Sequence, residues 1–198
     1  CAMVLQYDLE IGGSLIDRRY GKSKKIWSEL KTNEEKYNGQ RKLWGNTSDM
    51  TTPATTLPAK TINFFLDFDC NTNVGLSLPM IALQYHEVKI TVTFQTLDNL
   101  LVYNNTASLA TVNNSAALDA SLWINYIYLD VDERKAYAQT AQEYLFTQLQ
   151  FTGAETYSQV SIKPRINFNH PVKEFVWICQ PQANVDAKRY FDFGDGGI

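Results

Sequence analysis

The chain has 198 residues, of which 44% are hydrophobic and 20% charged, and its formal net charge at pH 7 is -3. This composition excludes an intrinsically disordered chain, because enough apolar side chains are present to build a core. Lysines and arginines are scattered, with no basic run beyond Lys24-Lys25, so direct binding to nucleic acid or to anionic lipid is not indicated.

Neither a membrane span nor a signal peptide is recognisable in the sequence. No stretch approaches the roughly 18 consecutive apolar residues of a transmembrane helix, and the start lacks the basic and apolar regions of a signal peptide. The three cysteines, Cys1, Cys70 and Cys179, include no CxxC pair, which argues against a disulfide framework and a zinc site. We therefore expect a soluble protein in a reducing compartment, and an internal segment of a longer protein, since the chain starts without methionine.

The first predicted strand is MVLQYDLEI, residues 3–11, in which apolar residues alternate with polar ones. The glycine pair Gly12-Gly13 predicts a turn after it. The next segment, KSKKIWSELKTNEEKYN (residues 22–38), has helical spacing, with Ile26, Leu30 and Tyr37 near one stripe.

Two further strands are predicted before residue 95. In INFFLDF (residues 62–68) the side chains of Phe64, Leu66 and Phe68 share one face, and Asp67 points to the other, towards solvent. The clearest strand is HEVKITVTF (residues 86–94), which places His86, Val88 and Ile90 on the core side. We expect these three residues in the core, with the histidine hydrogen-bonded there.

The second half of the chain contains two segments that are apolar on both faces. They are LWINYIYLD (residues 122–130) and VKEFVWIC (residues 172–179). This pattern is typical of strands covered by layers on both sides, so Trp123 and Trp177 are predicted core anchors. Between them, DERKAYAQTAQEYL (residues 132–145) has helical spacing.

The predicted fold class is all-β, a sandwich with short accessory helices, because short strands are separated by long polar loops. One such loop is NNTASLATVNNSAALDA (residues 104–120). The charged DERKAYAQ segment marks the boundary between two β domains: residues 1–136, then a linker at 137–144, then residues 145–198. The second domain holds too few strands to close a sandwich by itself.

Candidate chemistry is weak throughout the chain. His86 and Glu87 are adjacent on a strand and point to opposite faces, so they cannot orient each other as an acid-base pair. The stretch FLDFDCNT has the Asp-x-Asp of haloacid dehalogenase phosphatases, but no α/β alternation follows it. No catalytic residue, metal ligand set or cofactor site is therefore predicted. Three sequons, at Asn46, Asn104 and Asn113, are candidate glycosylation sites, which we expect to be unmodified in a reducing compartment.

Four stretches in order resemble the major capsid protein family of the nucleocytoplasmic large DNA viruses, in particular its mimivirus-like and algal-virus members. They are EIGGSLIDRRYG, GLSLPMIALQYHEVKI, LWINYIYLDVDERKAYAQTAQEYLFTQLQ and INFNHPVKEFVWICQ. The resemblance implies a tandem (double) jelly roll, with residues 1–136 in the latter part of the first roll and 145–198 opening the second. It also implies trimeric pseudo-hexagonal capsomers in the outer shell of a virion assembled in the host cytoplasm.

Such a protein is structural and not an enzyme, and the resemblance implies no cofactor. Its partners would be further copies of itself, minor capsid proteins and an underlying inner membrane, without direct contact to nucleic acid. Two alternatives stay open: a minor capsid or scaffold homologue with the same fold, and a carbohydrate-binding β-sandwich. The second predicts exposed aromatic rings on a concave face.

Overall fold

The structure, a computed structural model, describes residues 1–56, 58–102, 118–159 and 161–194. Within these ranges the chain forms one antiparallel three-stranded sheet and several short helices. The strands are β1 (Val4–Ile11), β2 (Ser14–Tyr20) and β3 (Val88–Phe94). The α-helices are α1 (Gly21–Lys31), α2 (Glu34–Leu43), α3 (Ser48–Thr51), α4 (Asp69–Thr72), α5 (Leu97–Leu100), α6 (Val131–Gln139) and α7 (Gln182–Asp186), and a 3-10 helix spans Val74–Leu76.

The sheet has the order β2-β1-β3, with β1 in the middle. The predicted turn at Gly12-Gly13 joins β1 to β2 as a two-residue loop between the paired residues Ile11 and Ser14. Both glycines have positive φ, 59° and 79°, which is the requirement of the type I′ turns that favour such hairpins. β1 also pairs along its length with β3, a strand far away in sequence.

A β-bulge changes which residues of β1 face the core. The register between β1 and β3 shifts between Val4 and Gln6, so two residues of β1 oppose one step of β3 there. As a result Val4 is buried and Leu5 is 47% exposed, whereas Tyr7 and Leu9 are buried as the alternation predicts. Leu5 therefore does not share the buried face of Tyr7 and Leu9, because the bulge shifts the alternation by one residue at that end of the strand.

The buried core lies on one face of this sheet. It consists of Val4, Tyr7 and Leu9 from β1, and of Phe68 from the segment before α4. The rings of Phe64 and Phe68 contact Tyr7 edge to face, at centroid distances of 5.4 and 5.3 Å. Segment 62–68 thus turns its predicted apolar side to the core without forming a strand. The partly buried residues around the core are Ile16, Phe64, Leu66, Cys70, Leu78, Val88, Ile90 and Val92.

The helical segment predicted over 22–38 is two helices, because Asn33 takes an extended conformation as the N-cap of α2. The buried side of α1 is also different from the predicted stripe. Lys24 and Ser28 are buried there, while Leu30 is 58% exposed. Each buried polar group has a partner: Lys24 lies 3.7 Å from Asp67, and the Ser28 hydroxyl donates to Gln40.

Two predicted central strands, 122–130 and 172–179, form no sheet pairs with the described residues. The all-β prediction therefore holds only in part, since short helices outnumber strands in the ranges that the structure describes. The helix predicted over 132–145 is shorter and ends at Gln139. Its start is set by a capping box, in which the Asp130 carboxylate accepts from Glu133 N at 2.9 Å and Glu133 accepts from Asp130 N at 3.3 Å. The predicted outer loop at 104–120 lies largely outside the described residues.

Candidate functional surfaces

Among the residues that the structure describes, segment 122–128 is the most exposed apolar part. No helix or strand is formed over this segment, and its side chains are exposed, with Trp123 90% and Tyr128 92% exposed. An apolar stretch of this length is rare on the free surface of a soluble monomer and is typical of an interface. The other exposed apolar residues of the segment are Leu122, Ile124, Tyr126 and Ile127.

Segment 175–178 has the same character. Trp177 is 82% exposed, and Phe175, Val176 and Ile178 are also exposed. The preceding Glu174 lies 3.7 Å from Lys31 at the end of α1, so the segment runs near that helix. Phe175 contacts Phe168 at 6.1 Å, a contact between two residues of the same half of the chain.

Trp123 and Trp177, the predicted core anchors, are not covered by the residues that the structure describes, where they are 90% and 82% exposed. Their segments are apolar on both faces, as strands between two layers are, but the single described sheet does not cover either of them. The described core forms around Tyr7 and Phe68 instead, because only β1, β2 and β3 pair with one another. The two tryptophans therefore mark apolar surface that this part of the protein leaves open.

His86, which is also predicted in the core, is exposed among the residues that the structure describes. The chain makes tight turns before it, with His86 N donating to Leu83 O at 2.8 Å, and β3 starts only at Val88. The ring lies over the β1–β2 turn, where a Cβ on Gly12 would come within 2.9 Å of His86 Nδ1. Val88 and Ile90, by contrast, pack against the core.

The core contains an unexpected polar pair, Tyr7 and Asp67. The Tyr7 hydroxyl donates to Asp67 Oδ1, and Lys24 Nζ lies 3.7 Å from the same oxygen. Burial and the neighbouring negative charge raise the pKa of Tyr7, and burial lowers the pKa of Lys24. The predicted solvent-facing Asp67 is therefore wrong, since its side chain is only 21% exposed and accepts a buried hydroxyl.

This pair does not form an active site. Tyr7 is completely buried, so no substrate can reach its hydroxyl. Asp67 and Asp69, the two acids of the phosphatase-like stretch, also point to different partners: Asp67 to Tyr7 and Lys24, and Asp69 to Arg19. They are engaged in packing the 62–69 segment onto the sheet.

A second polar cluster lies on β2, and the sequence analysis does not predict it. Asp17 and Arg19 are two residues apart and so share a face, with Arg19 Nε donating to Asp17 at 2.7 Å. The sequence signal for this cluster is the stretch SLIDRRY, in which charged residues directly follow the apolar residues of the strand. On the opposite face, Arg18 binds Asp8 through two hydrogen bonds of 2.9 and 2.7 Å.

The other candidate sites are a metal site, a membrane-spanning helix and the three sequons. Among the residues that the structure describes, no group of three or more His, Cys, Asp and Glu side chains could hold a metal ion. None of the described helices is long and apolar enough to cross a bilayer. Asn46 is exposed in the loop after α2 and is accessible to modification, whereas Asn104 and Asn113 lie outside the described residues.

Comparison with known proteins covers nearly the whole chain. A family model described as the major capsid protein N-terminus matches residues 1–130, and one described as the large eukaryotic DNA virus major capsid protein matches residues 133–197. The two matches meet at the start of α6.

Three relatives illustrate the similarity. The major capsid protein of Chrysochromulina ericina virus is 37% identical over 93% of this chain and 37% of its own length. Capsid protein 1 of Acanthamoeba polyphaga mimivirus is 40% identical, covering 90% of this chain and 32% of the relative. For the major capsid protein of Paramecium bursaria Chlorella virus 1 the values are 38%, 89% and 40%. The chain thus spans two fifths or less of the length of these relatives.

Two solved capsid structures are also similar to this chain. A quasi-atomic model of the PBCV-1 virus capsid matches with a TM-score of 0.60 and 34% identity, over 87% of this chain and 41% of that one. A PBCV-1 VP54 crystal structure, fitted into a reconstruction of the virophage Sputnik, matches with a TM-score of 0.51 and 33% identity, over 76% of this chain and 35% of that one. At this identity the likeness extends to sequence as well as fold.

Proposed function

Because the chain belongs to the major capsid protein family of large eukaryotic DNA viruses, we propose that it has a structural role in the outer capsid shell of such a virus. The observation that carries this proposal is the family match itself, which runs through both halves of the chain at 37% to 40% identity to capsid proteins. The hydrogen bond of the fully buried Tyr7 to Asp67 agrees with a structural and not a catalytic part for the polar residues of the core.

The proposed architecture is a double jelly roll, with residues 1–136 in the first roll, a linker at 137–144 and residues 145–198 in the second. Segments 122–128 and 175–178 would be strands of these rolls. Their exposed apolar side chains support this assignment, because a strand that is apolar on both faces needs a layer on each side. Relatives more than twice as long as this chain have the additional residues for such layers.

The proposed partners are other copies of the same protein. Three copies would form a pseudo-hexagonal capsomer, and capsomers would pack side by side through broad interfaces whose effects add over a closed shell. Minor capsid proteins and an inner membrane would lie beneath the capsomers, with assembly in the host cytoplasm. A net charge of -3 supports contact with protein neighbours over direct contact with nucleic acid.

Assembly is tested with the complete reading frame that encodes this chain. The purified protein is examined by size-exclusion chromatography with light scattering, and by electron microscopy at high concentration. We expect trimers with a pseudo-hexagonal outline. A monomer at every concentration, with no capsomers in the images, would contradict the proposed role.

Strand completion is tested separately by acrylamide quenching of tryptophan fluorescence. We expect Trp123 and Trp177 to be quenched readily in the 198-residue chain and to be protected in the product of the complete reading frame. Trp123→Phe and Trp177→Phe variants assign the signals, with Trp44, which is only partly exposed, as the internal reference. Equal quenching in both proteins would show that the two segments are not covered.

A minor capsid or scaffold protein with the same fold would differ in copy number. Quantitative mass spectrometry of purified particles distinguishes the two roles, since an outer-shell subunit is the most abundant protein of the particle. We expect the chain's peptides to dominate. A small copy number per particle would favour the minor role.

One observation favours the carbohydrate-binding alternative, namely the exposed rings of Trp123, Tyr128 and Trp177. Sugar-binding sites, however, combine aromatic rings with polar groups that fix orientation, whereas the neighbours of these rings are largely aliphatic: Leu122, Ile124, Ile127, Val176 and Ile178. A protein layer fits this composition better than a glycan. A glycan array without binding would remove the alternative.

A further inference from the structure

Three charged side chains from two separate parts of the chain form what we call the junction cluster: Asp17 and Arg19 of β2, and Asp69 at the start of α4. Arg19 lies between the two acids, with its Nε 2.7 Å from Asp17 and its Nη2 3.4 Å from Asp69. All three side chains are at least mostly buried: Asp17 is 4%, Arg19 17% and Asp69 22% exposed. The cluster is therefore a shielded polar site at the border of the core.

The cluster holds a residue from the second half of the chain, Thr147. Asp69 accepts a hydrogen bond from Thr147 N at 2.6 Å, and the single hydroxyl hydrogen of Thr147 is shared between its two carboxylate oxygens, which lie 2.9 and 3.0 Å from Oγ1. Arg19 Nη2 donates to Thr147 O at 3.2 Å. Every polar group of Thr147 thus has a partner in the cluster, and most of these bonds involve a charged group, which makes them stronger than neutral ones.

The residues around Thr147 follow the free edge of β2. Gln148 Nε2 donates to Ile16 O at 3.0 Å, and Leu149 N lies 3.5 Å from Asp17 Oδ1. Phe151 meets the ring of Tyr20 edge to face at 5.2 Å. Since amides two residues apart point the same way in an extended chain, the N–H groups of Thr147 and Leu149 can meet Asp69 and Asp17 together.

Segment 144–151 has one further hydrogen bond to the first half of the chain, from the Tyr144 hydroxyl to Ser77 O at 3.1 Å. In the described ranges, no backbone-to-backbone hydrogen bond joins residues 144–151 to the sheet. The preceding helix α6 is exposed along its whole length and so offers no packing of its own. The hydrogen bonds that attach the segment all involve side chains: Arg19 and Asp69 bind the backbone of Thr147, while Gln148 and Tyr144 bind backbone oxygens of the first half.

We propose that the junction cluster of Asp17, Arg19 and Asp69 is the docking site that fixes segment 144–151 onto the edge of β2 and so sets where the second half of the chain begins. The partner it fits is an extended backbone with two N–H donors two residues apart and a hydroxyl on the first. Docking also covers the open edge of β2, which would otherwise be free to pair with other strands. The proposal does not depend on a capsid role.

The state of Asp17 supports this assignment. Burial raises the pKa of Asp17, whereas Arg19 and the N–H of Leu149 act in the opposite direction. The docked segment therefore helps to stabilise a carboxylate that burial alone would disfavour. Undocking would leave Asp17 and Asp69 to share Arg19 as their ion-pair partner.

The test is hydrogen-deuterium exchange with mass spectrometry on the intact 198-residue chain. The variants are Asp69→Ala, Thr147→Val and the double variant, and the controls are Asp119→Ala and Thr152→Val, both at exposed positions outside the cluster. We expect exchange in residues 144–151 to rise about tenfold or more in Asp69→Ala and less in Thr147→Val, with the amides of β1 and β3 unchanged. The controls should behave as the unmodified chain.

The double variant makes the test decisive. If the threonine hydroxyl acts through Asp69, Thr147→Val adds almost nothing once Asp69 has been removed, because its acceptor is gone. Additive effects would overturn the proposal, as would unchanged exchange in 144–151. An equal rise in β1 and β3 in both single variants would also overturn it, since the cluster would then be only a part of the general core.

Discussion

Among the described glycines, Gly21 is the one at which an added Cβ would make the shortest contacts. It is the first residue of α1, and a Cβ built on it would collide with two backbone oxygens, those of Val4 and Cys1, and lie 3.2 Å from Val4 C. Its φ lies outside the left-handed region, so the requirement for glycine is one of space and not of conformation. Ala at this position must push the start of β1 away from the start of α1.

The loss of stability in Gly21→Ala depends on which part of the structure moves to relieve the collision. Val4 is only 3% exposed and belongs to the core, so relief of the collision opens the core at the end of β1. Overpacking of this kind costs about 1–3 kcal/mol, and rigid backbone atoms place Gly21→Ala near the upper end. The better helix propensity of Ala offsets at most about 1 kcal/mol of this. We expect a net loss of about 2 kcal/mol in the free energy of unfolding.

The matched control is Gly39→Ala in α2. No atom lies within 4 Å of a Cβ at that position, so only the helix propensity changes, and we expect a gain of about 1 kcal/mol. For a chain of this size, thermal unfolding followed by circular dichroism should show Gly21→Ala lower by about 4–8 °C and Gly39→Ala higher by about 2–4 °C. A Gly21→Ala variant as stable as the unmodified chain would refute the steric reasoning.

Three further outcomes are expected. Because the pKa of Tyr7 is raised in the folded state, its contribution to stability is complete below the unfolded pKa of about 10 and is lost as the pH rises above it. The stability difference between the unmodified chain and Tyr7→Phe should therefore shrink by about 1.4 kcal/mol per pH unit above that point, and a difference that stays constant up to pH 11 would contradict the burial of a neutral phenol. In alkylation with iodoacetamide followed by peptide mass spectrometry, the exposed Cys179 should react faster than Cys70, whose pKa is raised by burial, and the reverse order would contradict this packing. In denaturant unfolding, Leu9→Ala should cost about 2–5 kcal/mol, whereas Leu5→Ala, at a position turned outward by the bulge, should cost less than about 1 kcal/mol, and similar losses would argue against the bulge.

The family and the local elements of the first half could be predicted from the sequence alone. Period-two alternation in HEVKITVTF and the Gly12-Gly13 pair are local signals, and the structure has β3 and a tight β1–β2 turn where they indicate them. Four family-like stretches in order were sufficient for the capsid resemblance, which the family matches confirm. Such features depend only on neighbouring residues, or on similarity read along the chain.

Only the tertiary structure decided which of these residues meet. The bulge near Val4 arises from the pairing of β1 with a strand far along the chain, so the outward turn of Leu5 has no local signal. The alternation predicts a solvent-facing Asp67, whereas its partners, Tyr7 and Lys24, come from other elements and have no local signal in the sequence. Segment 122–128 shows most clearly what the sequence cannot decide. A pattern that is apolar on both faces indicates that the segment needs two covering layers. Its burial depends on whether those layers are present, and the described sheet supplies neither.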